Sequence, residues 1–168
     1  PDGSEFKGTP EQFIQQNSKN FKMSFLNAIR DADGNVQFNY HGQRQGRPFD
    51  VFKPSQRGLR GVGNYTTPNR DSALSYAKSL NNPNPEERLY ELYINSNKPQ
   101  QAVVDDVIFQ VAPEEYIKKS RIQPGYDYLK YFNEQVTPPN NFLKSAIGNN
   151  GMFDMNNPNI YKSLLPII

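Results

Sequence analysis

Hydrophobic residues in this chain come in short runs whose period switches repeatedly, and the order of those runs limits the folds open to it. Thr9-Pro10-Glu11-Gln12 is a helix start: Thr9 can cap, Pro10 suits the first helical position, and Gln12 completes a capping box. Phe13, Ile14, Phe21, Phe25, Leu26 and Ile29 continue as a helical stripe that Asp33-Gly34 ends. Val36, Phe38 and Tyr40 then alternate with polar residues, a strand pattern that delivers His41 at its end. Residues 42–64 break the pattern with five glycines, two prolines and five basic residues against one acidic one. A segment of that length without periodicity is functional or disordered in most compact domains. Asn64 to Thr67 reads as a short strand, and Thr67-Pro68 opens a helix whose Ala73, Leu74, Tyr76, Ala77 and Leu80 share one face.

Asn81 to Glu87 is a polar turn, Leu89 to Ile94 a strand, and Val103 to Val111 a stronger strand. Pro113-Glu114-Glu115 has the form of a short helix start, with its acids at the positive end. Tyr126, Tyr128, Tyr131 and Phe132 fit a packed aromatic helix or loop, and Asn149 to Asn159 is turn-rich. Helix, strand, loop, strand, helix and further strands make an α+β order rather than the alternation of a parallel α/β sheet.

Composition narrows the chemistry. The 168 residues fit one domain. At 35% hydrophobic content the core must be modest, and ten Tyr with eleven Phe make it aromatic. The absence of cysteine excludes a thiol nucleophile, disulfides and thiolate zinc sites, and a single histidine excludes a multi-histidine metal site. A net charge of +2 advertises neither nucleic acid nor membrane, and no apolar run approaches the roughly 18 residues of a membrane span. Residues 1–6 read like a cloning remnant, so residues 7–168 are expected to be a single domain cut from a longer protein.

The lone histidine, His41, is followed directly by Gly42, where a ligand or another backbone can come close. The glycine-rich loop leads to Gly63-Asn64-Tyr65-Thr66-Thr67 and a helix bearing Tyr76. Two tyrosines can stack an electron-poor ring such as nicotinamidium, and a histidine can hydrogen-bond the attached ribose. Breaking the N-glycosidic bond also needs an anion near the anomeric carbon, since that carbon gains oxocarbenium character. Asp105 and Asp106, entering Val107-Ile108-Phe109, stand where a sheet end offers one. Each feature has a plainer reading: a strand-end histidine bonded to backbone, tyrosines in the core, a solvated basic loop, and two acids capping a strand.

Taken together these residues resemble a known family. Tyr40-His41-Gly42 resembles the histidine-glycine element of the diphtheria-toxin-like and poly(ADP-ribose)-polymerase-like ADP-ribosyltransferases. Gly63 to Thr67 through Ser75-Tyr76-Ala77 resembles their second element, with Tyr65 and Tyr76 at its eleven-residue spacing. Phe49-Asp50-Val51-Phe52, Leu89-Tyr90-Glu91-Leu92 and the tail from Lys144 to Asn159 are similar to transferase domains of phage and mobile-element polyproteins. The resemblance covers roughly residues 36–117 and this tail. It departs at the third element, where Asp106 stands in place of the family's glutamate. Asp105, Glu114 and Glu115 are the alternatives. An acid one methylene shorter displaces the charge by about an ångström, and errors of that size can cost about 10²-fold in rate.

The resemblance implies a split β-sandwich of two small, mainly antiparallel sheets flanked by helices, with NAD as substrate and no metal. It implies that His41, Gly42, Tyr65, Thr66 and Tyr76 bind NAD, and that Asp106 acts with His41 and Tyr76 in the reaction; Arg57, in the basic loop, is expected to contact the NAD pyrophosphate. The implied activity is mono-ADP-ribosyl transfer with nicotinamide release by a bacterial or phage toxin or effector module. That module would be monomeric, secreted or injected, acting in a target-cell cytoplasm on a protein rather than a nucleic acid. An NAD glycohydrolase, a non-catalytic NAD-binding module and a small toxin ribonuclease are the competing readings.

Overall fold

The computed structural model describes residues 6, 8–53, 55–56, 63–81, 83–96, 99–101, 128–131, 134–137, 143–147, 153, 155 and 159–161. Helix α1 (Pro10–Asn17) begins as its sequence requires, with Thr9 accepting from the Gln12 amide and the Gln12 side chain accepting from the Thr9 amide. The expected long helix nevertheless breaks at Ser18. Its hydroxyl accepts from the Phe21 amide and starts a second helix, α2 (Lys19–Ser24). The competing side-chain hydrogen bond redirects the chain. Only part of the stripe is therefore core: Phe21 and Phe25 are buried, whereas Ile14 and Leu26 are exposed.

Seven strands form two sheets among the described residues. The first joins β1 (Asn39–Gly42), β3 (Leu89–Tyr93) and β7 (Lys144–Ser145), with β3 central and all pairs antiparallel. The second runs β2 (Asn64–Thr66), β6 (Glu134–Thr137), β5 (Tyr128–Tyr131) and β4 (Pro99–Gln101), antiparallel except for the parallel β4–β5 pair. This is the α+β architecture of two small, mainly antiparallel sheets with helices. Tyr128 to Tyr131, expected as helix or loop, is a strand because β4 and β6 supply its partners from distant sequence. Helix α3 (Arg70–Lys78) starts later than Thr67-Pro68 foretold, since Asn69 is the residue whose side chain caps it. Val103 to Val111 and Pro113 to Glu115 lie outside the described residues.

Strand β3 divides the core by simple alternation. Tyr93 faces the helices and packs edge-on to Phe21 at 4.9 Å, within a cluster containing Phe25 and Phe153. Tyr90 and Leu92 face the other way and pack with Tyr128, Leu143 and Ile160. Glu91 shares the helix-side face, where it accepts from Tyr40 and Gln12 at 3.1 Å each. Burial, then the Glu91 charge, pushes the Tyr40 hydroxyl up to about 12, and burial does the same for Tyr93. Tyrosines of the unfolded chain ionise near 10, so the folded state holds these protons while the unfolded state releases them. Stability is thus expected to hold below pH 10 and to fall between pH 10 and 12. Urea midpoints measured across that range check it; a flat profile would remove the buried-phenol account.

Candidate active site

The His41 side chain is fixed by β1, β2 and the loop that follows β1. Its Nδ1 lies 2.7 Å from the Tyr65 carbonyl oxygen. A carbonyl only accepts, so Nδ1 carries the hydrogen and Nε2 holds the lone pair of the neutral ring. Phe52, Tyr90 and Phe49 surround the ring at centroid distances of 5.1, 6.0 and 6.1 Å. Burial lowers the imidazole's proton affinity below its ordinary value, opposed in part by the Tyr65 carbonyl. His41 is therefore a neutral, oriented hydrogen-bond acceptor at neutral pH.

The loop that builds this cage owes its shape to one buried glutamine. Gln43 Nε2 donates to the carbonyls of Gln45 and Arg47, turning the chain through Gly46, whose φ is 87°. Its Oε1 accepts from the Tyr90 hydroxyl, which in turn accepts from the Phe49 amide. Phe49 stacks on Tyr90 at 4.6 Å. Further along, Asn159 donates to the Asp50 carboxylate at 2.7 Å, and the Ile160 amide donates to the Asp50 carbonyl. Asn159 and Ile160 thereby pin the loop. Phe49, Phe52 and Gln43 had no periodic signal in the sequence, since they sit in its least patterned segment.

Gly42 places helix α3 beside the histidine. A Cβ there would lie 1.9 Å from the Ala73 carbonyl oxygen and 3.1 Å from the Ala77 nitrogen. The backbone of α3 closely approaches this glycine. Ala73 and Ala77 are the buried face of α3, and Tyr76, expected on that face, is instead 54% exposed. It stands on the helix flank as an open aromatic ring. The Arg44 guanidinium lies over that ring at 5.2 Å and its Nε donates to Ser79, so the ring already stacks one planar cation.

Tyr65 is half-buried on β2 and contributes its carbonyl to His41. Thr66 is buried, and its hydroxyl donates to Gln135 from the opposite side of the strand. Among the expected site residues, His41, Gly42 and Tyr65 thus come together with the helix that bears Tyr76. Asp106 and Arg57, together with the alternatives Asp105, Glu114 and Glu115, lie outside the described residues. Glu91 projects to the opposite face of β3 from Tyr90, which packs on His41, and so is not turned toward the histidine.

A family model described as ADP-ribosyltransferase in polyvalent proteins matches residues 31–144, more than half of the chain and the whole stretch from His41 through Tyr76 to Asp106. No curated protein and no solved structure matches the chain.

Proposed function

The chain belongs to the ADP-ribosyltransferases of polyvalent proteins, and on that premise we propose that it transfers one ADP-ribosyl group from NAD to an acceptor. The bond between the ribose anomeric carbon and the nicotinamide nitrogen breaks, and its electron pair neutralises the pyridinium ring. The anomeric carbon then bonds to the acceptor nucleophile, which gives up a proton. The observation that carries this reading is the neutral His41, whose Nδ1 is tied to the Tyr65 carbonyl at 2.7 Å. Its Nε2 lone pair suits a ribose hydroxyl. Tyr76 supports it as well, because the guanidinium stacked on its ring stands in for a nicotinamidium, another planar cation. Asp106 is the carboxylate assigned to the oxocarbenium-like state. The acceptor is a protein, and the domain is a monomeric toxin or effector module of a bacterial or phage polyprotein, delivered into another cell.

Incubating the domain with NAD, with and without cell lysate, and following nicotinamide by chromatography tests the reading. Lysate-dependent release that Asp106→Asn abolishes is the expected result. Lysate-independent release would replace transfer with NAD hydrolysis, and no release with NAD still bound would leave a binding module. Tyr76→Ala, at an exposed position, is expected to fold normally and to raise the KM for NAD about tenfold, the scale of a lost cation–π contact. An unchanged KM would remove Tyr76 from the nicotinamide site.

A further inference from the structure

The Tyr76 ring is largely open to solvent, yet one of its faces is already taken. The residue is 54% exposed, and the Arg44 guanidinium carbon lies 5.2 Å from the ring centroid. Arg44 belongs to the loop that leaves β1, three residues after His41, and reaches the ring from that side. One hydroxyl latches it there. Arg44 Nε donates to Ser79 Oγ at 3.1 Å, and that hydroxyl donates to the Tyr76 carbonyl at 2.6 Å, at the end of α3.

This contact opposes any ligand that needs the same face. A planar ring stacks on an aromatic face at van der Waals distance, which leaves no room for a guanidinium between them. A pyridinium beside Arg44 also brings two like charges together. The loop itself is fixed. The Gln43 amide donates to the Arg88 carbonyl at 2.9 Å, and the Gln43 side chain donates to the carbonyls of Gln45 and Arg47. Clearing the ring therefore takes a rotation of an exposed arginine side chain, not a movement of the loop or of α3.

We propose that Arg44 is a closing residue of the nicotinamide site, seated on Tyr76 until a planar ligand displaces it. This role depends on the reading of Tyr76 as part of that site. A ligand that binds only the cleared ring has its affinity reduced by the fraction of molecules in which the ring is clear, whatever the ligand's charge. An arginine that stayed in place and repelled would penalise a cation alone. An arginine that stacked on the ligand would strengthen binding.

Nicotinamide, which is neutral, and 1-methylnicotinamide, a pyridinium cation of nearly the same shape, are the probes. Neither carries phosphate, so an ion pair between a displaced Arg44 and the NAD pyrophosphate does not enter. Dissociation constants from ligand-observed NMR titrations at fixed ionic strength are the readout, and circular dichroism checks the fold of each variant. Arg44→Ala is expected to tighten both probes by the same factor, about fivefold, the scale of an exposed cation–π contact. Ser79→Ala, which keeps the ring and the guanidinium and removes the hydroxyl between them, is expected to tighten both by about twofold. Unchanged or weaker binding in Arg44→Ala, tightening of the cation alone, or no binding of either probe to Arg44→Ala overturns the proposal. Nicotinamide release from NAD, followed in parallel, separates the two claims. Release with probe affinities that ignore Arg44 removes the closing role and keeps the transferase reading, and equal tightening without release does the reverse.

Discussion

Gly42→Ala is expected to cost about 3 kcal/mol or more of folding stability, the upper end of the range for overpacking, and to disable the candidate active site with it. The reason is the identity of the obstacle. A Cβ at residue 42 meets the backbone carbonyl of Ala73 at 1.9 Å, with the Ala77 nitrogen also in contact. A flexible side chain could swing aside, but a helix carbonyl cannot move without the helix. No substitution at Ala73 relieves the clash either, because every residue carries that oxygen. Helix α3 must therefore lift from β1, uncovering Ala73 and Ala77 and separating the Tyr76 flank from His41. Gly34 is the control. A Cβ there meets nothing within 4 Å, but φ is 83°, so Gly34→Ala is expected to lose only the left-handed preference, about 1–2 kcal/mol. Urea unfolding of both variants measures the contrast. Equal losses would mean that conformation rather than contact governs Gly42.

The same glycine illustrates what the sequence can and cannot convey. That a residue after His41 lies close to something was legible from Gly42 alone; that the neighbour is α3 was not, since close approach leaves no record of its partner. Local devices were readable because their partners are local. The capping box of Thr9 and Gln12 forms as written, and the alternation of Leu89 to Tyr93 becomes β3. Ser18 defeats the helical stripe because a single hydroxyl outcompetes a pattern that the hydrophobic residues around it still satisfy. Tyr128 to Tyr131 carries too short a pattern to specify a strand, and its identity comes from β4 and β6. In the candidate site, His41, Tyr65 and Tyr76 could be ordered by spacing. The cage of Phe49 and Phe52 could not, because a loop fixed by Gln43 side-chain bonds has no period to read.

His41→Phe is expected to lower kcat/KM for nicotinamide release by about 10²-fold while the domain stays folded. Phenylalanine keeps an aromatic ring among Phe49, Phe52 and Tyr90, so the cage survives. It removes the Nδ1 bond to the Tyr65 carbonyl and the Nε2 acceptor with it. Loss of one acceptor alone would cost roughly tenfold at most; the rest comes from a ribose no longer held to within an ångström of its reacting position. The pH profile of the wild type tests the same assignment from another side. Burial holds the folded imidazole neutral below its ordinary value near 6.5, so the acceptor is present throughout the neutral range. The unfolded chain takes up the proton first as pH falls, so the His41 contribution to stability is complete above about pH 6.5 and declines below it. Activity carried by the neutral ring should accordingly be level from pH 8 to 6.5 and drop only at lower pH. An acid limb centred above 6.5 would mean that His41 is not the neutral acceptor described. A His41→Phe variant with wild-type kcat/KM would move ribose recognition to another residue altogether.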